Sequence, residues 1–132
     1  MNYKVFKNEV ANLQEYKDKA DRLRTQIEDI IYIYQGVKGV SFDNQPSQYN
    51  QAEADMKLVE LSEKLTPYQK QLEWYIDTIV NIEDNIALLP EETQEMVKLL
   101  FMKGISFEQV GKMYGYSPNG VYLKVRREIE RI

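Results

Sequence analysis

The chain contains no cysteine and no histidine. The first absence excludes disulfides, thiolate nucleophiles and cysteine-ligated metal. The second removes the usual general base at neutral pH, and the two together remove the usual zinc ligands. No Ser-His or Cys-His arrangement can be assembled. The carboxylates show no metal-binding or catalytic spacing; their i to i+3 or i+4 partners are mostly Lys or Arg, as on a solvated helix face. A protein that is not an enzyme and carries no cofactor is expected. No apolar run approaches the ~20 residues of a membrane helix, and the opening MNYKVFKNEV lacks the apolar centre of a signal peptide. These features, with the missing cysteine, fit a cytoplasmic protein with no membrane partner.

What is present is helical patterning. A chain of 132 residues suits one domain, or a small domain with an extended appendage. Apolar or aromatic residues recur at Phe6, Val10, Leu13, Tyr16, Ala20, Leu23, Ile27, Ile30 and Tyr34 in steps of three and four, close to a heptad seam. A second run comes at Leu58, Leu61, Leu65, Tyr68, Leu72, Tyr75, Ile79, Ile82 and Ile86. The glycines, proline, Asp and Asn of residues 36 to 50 between them mark a connection. An antiparallel coiled-coil hairpin over 1-87 is the simplest way for one chain to bury both stripes.

Thr66-Pro67-Tyr68-Gln69 has the composition of a helix start, but the heptad phase runs through it, which favours one kinked helix over two. IIYIY at 30 to 34 is apolar on every side and rich in strand formers; the seam passing through it favours helix. Its second apolar face requires cover, either from the adjoining connection or from a partner such as a second copy. Trp74 and Tyr32, off the seam, require the same.

The last third changes character. Pro90 suits a first helical position, Glu91 and Glu92 suit the helix dipole, and Gly104 is a stop. Ser106-Phe107-Glu108-Gln109 reads as a capping box opening a short helix that ends at Gly115. Ser117 then caps a third helix opened by Pro118. Two helices joined by about three residues cross steeply, in helix-turn-helix geometry. Val110, Tyr114, Tyr116, Val121 and Val125 supply apolar contacts, and Gly111 lies where a crossing helix leaves no room for a side chain. The fold expected is all-α, a helical hairpin followed by a helix-turn-helix domain over 88-132.

Charge divides along the same line. Ten basic and fifteen acidic residues precede residue 89, and seven and six lie from there to the end; from Lys112 onward five are basic and two acidic. A local positive field can act although the net charge is −4. On the third helix Val121, Val125, Ile129 and Ile132 form the buried stripe. The opposite side carries Asn119, Gly120, Leu123, Arg126 and Arg127, flanked by Tyr122 and Lys124. In a helix-turn-helix this side enters the major groove of double-stranded DNA, N-terminus first. Asn119 and Arg126 are candidates for reading base edges, Asn suiting adenine and Arg guanine, and Leu123 for a thymine methyl. Ser117 and the free amides at the helix start, with Lys124, Arg127 and Tyr122, are candidates for holding phosphates. Gly120, a poor helix former, fits a place of close approach. The competing reading is a three-helix bundle in which Tyr122 and Leu123 serve a protein contact.

Residues 88 to 132, and most of all GISFEQVGKMYGYS and the adjoining VYLKVRREI, resemble the region-four domain of bacterial sigma factors, the helix-turn-helix that recognises the −35 promoter element. An acidic hairpin followed by such a domain resembles small sigma-like regulators of prophages, including the ArpU type. That resemblance implies late phage transcription control with host RNA polymerase as a partner. Gln94 and Leu100 stand where sigma domains often have arginine, and nothing upstream resembles the region that melts promoter DNA. An accessory factor, dimeric through its hairpin, is therefore expected rather than a self-sufficient sigma factor. Two other readings fit the same layout: a phage DNA-packaging protein like a small terminase subunit, and an adaptor whose C-terminal domain contacts polymerase or a sigma factor.

Overall fold

A computed structural model describes residues 1 to 37 and 51 to 132. The described residues are helical, joined by short turns, and form no strand. Helix α1 spans Tyr3–Val37 and α2 spans Gln51–Ala87. They run antiparallel: Lys17 Nζ lies 2.9 Å from Glu83 Oε1, and Lys64 Nζ lies 5.3 Å from the centre of the Tyr34 ring. The inferred connection lies, for residues 38 to 50, outside the described residues.

The α1 seam is realised at every position: Phe6, Val10, Leu13, Ala20, Leu23 and Tyr34 are buried, and Tyr16, Ile27 and Ile30 are half-buried. Its spacing of three and four keeps one stripe facing the partner helix. The α2 seam obeys the same logic from Leu61 to Ile86. It departs at Leu58, which is 56% exposed, while Ala54 one turn earlier is buried. IIYIY is helical. α2 continues through Pro67 without a break, and the Thr66 hydroxyl donates to the Ser62 carbonyl one turn back at 2.7 Å instead of capping a new helix.

Contacts divide the chain into two compact units, residues 18 to 76 and residues 1 to 17 with 77 to 132. The division lies within the two long helices. In the first unit Ala20, Leu23, Tyr34, Ala54 and Leu65 are buried. The second unit has a core shared by the base of the hairpin and the C-terminal helices. Phe6, Val10, Leu13, Ile82 and Ile86 join Leu89, Met96, Val97, Leu100, Phe101, Val110, Val121, Val125 and Ile129 in one buried cluster. Each large apolar side chain buried this way contributes about 1.5–3 kcal/mol.

The short helices have identifiable starts and stops. Pro90, φ −55° and ψ 148°, precedes α3 (Glu91–Val97) as its cap residue, one position earlier than its composition suggests. The Gln94 side chain reaches back to the Leu89 carbonyl at 2.8 Å and the Ala87 carbonyl at 3.3 Å, tying α3 to the end of α2. α3 then widens into a π turn over Lys98–Met102, closed by Lys103 N–H to the Lys98 carbonyl at 3.1 Å. One extra residue in the turn rotates the facing of the side chains beyond it. Leu100 and Phe101 are both buried, while Lys98 and Met102 stay exposed. Gly104 ends the segment in the left-handed region, φ 68°.

Candidate nucleic-acid interface

Helix α4 spans Phe107–Tyr114 and α5 spans Pro118–Glu130. The Ser106 hydroxyl accepts from Gln109 N–H at 3.2 Å, and Gly115 closes α4 in the left-handed conformation, φ 80°. The chain restarts at once: the Ser117 hydroxyl accepts from Gly120 N–H at 2.9 Å, and Pro118 occupies the first turn. Between these boundaries Tyr116 N–H donates to the Gly111 carbonyl at 2.8 Å. A β-carbon at position 111 would collide with the Tyr116 carbonyl oxygen, so the turn can lie against α4 only because residue 111 is glycine.

Val121, Val125 and Ile129 are fully buried, and Ile132 packs against the same cluster. With that stripe inward, Asn119, Leu123, Arg126 and Arg127 are exposed on the outer face, Leu123 at 47%. A shallow open surface depression is lined by Leu123, Arg126, Arg127, Glu130 and Arg131. Arg127 has no side-chain partner among the described residues, so its charge faces solvent.

The remaining site residues are engaged with the protein. The Tyr122 ring lies edge-on to Tyr3 at 5.6 Å and to Phe107 at 6.0 Å, and Tyr3 is edge-on to Phe101 at 6.0 Å. Tyr122 is thus half-buried, with its hydroxyl accepting from Arg126 Nη1 at 2.7 Å. Arg126 Nε donates to Glu130 Oε1 at 2.8 Å. These two bonds, Glu130 first, hold the guanidinium in its charged form above its ordinary range. Burial raises the Tyr3 hydroxyl; Tyr122 adds to this and Arg126 opposes it.

Lys124 is likewise engaged with the protein. Its ammonium lies 3.4 Å from Glu92 Oε2 and 5.7 Å from the centre of the Tyr116 ring, joining α5 to α3. At the helix start, Pro118 has no N–H and the Gly120 amide is taken by Ser117. The free amide there is that of Asn119. Gly120 is explained by the cap itself, because a β-carbon there would press on Ser117 Oγ at 3.0 Å.

The exposed face therefore combines one amide side chain, one aliphatic side chain and two guanidiniums on a rigid helix. No family model, curated protein or solved structure matches the chain. Among the described residues no group of three or more Asp or Glu is placed to hold a metal ion, and no helix is long and apolar enough to cross a membrane.

Tyr114 and Tyr116, assigned from sequence to apolar contact, also carry polar ties to α3. The Tyr114 hydroxyl donates to Glu95 Oε2 at 2.7 Å, and the Tyr116 hydroxyl to Glu92 Oε2 at 3.5 Å. Sequence reading had no means to find the Tyr3–Tyr122 contact, since the two lie at opposite ends of the chain and neither belongs to a periodic stripe.

Proposed function

We propose that this chain is a sequence-specific binder of double-stranded DNA that places α5 in the major groove and acts as a transcriptional regulator. The observation that carries the reading is the outward face of α5. Asn119, Leu123, Arg126 and Arg127 project from one side of a helix whose other side is fully buried, and the tight Gly115–Ser117 turn leaves its N-terminal end uncovered. Amide, methyl-bearing and guanidinium side chains are the groups that distinguish base pairs from the major groove. Asn119, through its side chain and its own backbone amide, and Arg127 supply anion contacts that set the register.

The regulatory role, the link to phage late genes and the partnership with RNA polymerase rest on the resemblance of residues 88 to 132 to sigma region four. One recognition helix of this size seldom supplies a useful specific affinity alone, so pairing of two chains through the hairpin belongs to the proposal. Tyr32 at 76% exposure and Trp74 at 56%, with Ile33, Met56 and Val59 also exposed, support an apolar contact there.

A second reading is favoured by one observation. In the last turns of α5, Arg126 is paired with Glu130 and Arg131 with Glu128 at 3.1 Å, which mutes the local positive field. That suits a protein partner, and makes the chain an adaptor.

Selection of genomic DNA fragments by the purified protein at two salt concentrations separates these readings. Specific regulation gives enrichment of one short site that persists as salt rises. Weak binding without enrichment, abolished by salt, favours the adaptor.

A further inference from the structure

We propose that Arg126 reads a guanine in the bound DNA and that Tyr122 and Glu130 are the positioning residues that aim it. The inference rests on the DNA-binding reading above and names the base that reading leaves open.

A guanidinium has five N–H donors in a planar fork. In this structure Nε is bonded to Glu130 and Nη1 to Tyr122. The donors left are the pair on Nη2 and the second one on Nη1. One donor from each terminal nitrogen is what a guanine requires, because O6 and N7 are adjacent acceptors on its major-groove edge. Adenine offers a donor where guanine has O6, and is refused.

The two anchors differ in strength of support. The Tyr122 ring is half-buried and makes edge-on contacts with Tyr3 and Phe107, which restrict it; its hydroxyl is an acceptor one turn before Arg126. Glu130 is one turn after, so the guanidinium is held from both sides along the helix. An unanchored arginine loses its side-chain freedom on binding, and an anchored one has already lost most of it. Glu130 also brings a negative charge near the phosphates, which lowers affinity for every sequence alike. Weaker general binding together with a better-aimed reader raises the ratio between right and wrong sites.

The test uses the full chain, the duplex it selects from random-sequence DNA, and duplexes in which each G·C pair of that site is replaced in turn by A·T. In the wild type, one guanine gives discrimination of about five- to hundredfold that disappears in Arg126→Ala. Replacing that guanine by 7-deazaguanine, which lacks N7, weakens wild-type binding and leaves Arg126→Ala unaffected. Tyr122→Phe and Glu130→Ala each lower the discrimination by about two- to tenfold. Glu130→Ala simultaneously binds unrelated DNA at least as tightly as the wild type, a combination that a loss of folding or of helix stability does not produce. Glu130→Gln, which keeps an acceptor, restores most of the discrimination. Unchanged discrimination in both Tyr122→Phe and Glu130→Ala, or a selected site with no guanine that depends on Arg126, overturns the inference and leaves DNA binding standing. Failure to select any site overturns both.

Discussion

Gly111 and Tyr116 are locked together at the turn between α4 and α5: Tyr116 N–H donates to the Gly111 carbonyl at 2.8 Å, and the Tyr116 carbonyl occupies the space a β-carbon on Gly111 would need. Backbone atoms cannot be moved aside like the end of a flexible side chain. Gly111→Ala is therefore expected to destabilise the protein by about 1–3 kcal/mol through overpacking, despite the better helix propensity of alanine. Urea unfolding checks this. Gly120→Ala is the comparison: its new methyl presses only on Ser117 Oγ, and the propensity gain of about 1 kcal/mol offsets the loss. A smaller effect at Gly111 than at Gly120 contradicts the packing described.

Thr93 is fully buried and its hydroxyl has no hydrogen-bond partner among the described residues. Valine has nearly the same shape and removes the stranded polar group. Thr93→Val is expected to leave the helical circular dichroism spectrum intact and to raise stability by about 1–3 kcal/mol. A loss of stability means that the hydroxyl is bonded in solution.

Lys124 and Arg127 separate stability from binding. Lys124→Glu sets a second carboxylate beside Glu92 in place of a salt bridge, so it is expected to lower the unfolding free energy, by an amount on the order of 1 kcal/mol for a contact this exposed. Arg127→Glu leaves unfolding nearly unchanged, since the side chain has no partner among the described residues to lose. It is expected to reduce the slope of log affinity for DNA against log salt by about one unit. Titration of a labelled duplex at several salt concentrations, beside thermal melts of both variants, checks the pair.

The Tyr114 hydroxyl titrates above its ordinary value of 10.0, chiefly because it donates to the Glu95 carboxylate, with burial a smaller cause. A raised pKa in the folded state means the proton is held more tightly there than in the unfolded chain. The stability from this bond is fully present below about pH 10, the unfolded value, and is lost as pH rises through the higher folded one. The stability difference between wild type and Tyr114→Phe is thus expected to be constant from neutral pH to about pH 9 and to narrow above pH 10. Tyr3 titrates in both proteins and cancels. Denaturant unfolding along a pH series measures it; a gap that widens with alkali contradicts the bond.

Much of this fold was legible in the sequence where local chemistry dictates geometry. Ser106, Gly115 and Ser117 mark helix boundaries because each satisfies or releases specific backbone groups. Gly111 could be singled out because the flanking caps already forced a close crossing. The α1 seam was legible because its period is sustained over nine positions. The rest depends on contacts distant in sequence. The π turn at Lys98–Met102 leaves no local mark, since it arises where Leu100 and Phe101 must both reach the core. Tyr122 and Lys124 lie on the flanks of α5, where periodicity is silent, and only the arrival of Tyr3, Phe107 and Glu92 fixes their roles. Leu58 continues the α2 period but is exposed while Ala54, one turn earlier, is buried, so the repeat does not give the buried face at this end of α2.

The most direct measurement places a probe on the exposed face of α5. The chain has no cysteine, so Leu123→Cys gives a single attachment point for a photocrosslinker, and Gln69→Cys, at an exposed position of α2 outside the proposed hairpin contact, gives a matched control. With the duplex selected by the wild-type protein, crosslinks from position 123 to bases within the site, and none from position 69, are the expected result. Crosslinks confined to position 69, or none from position 123 while the labelled protein still binds, would show that DNA lies elsewhere and that the outward face of α5 is not the reading surface.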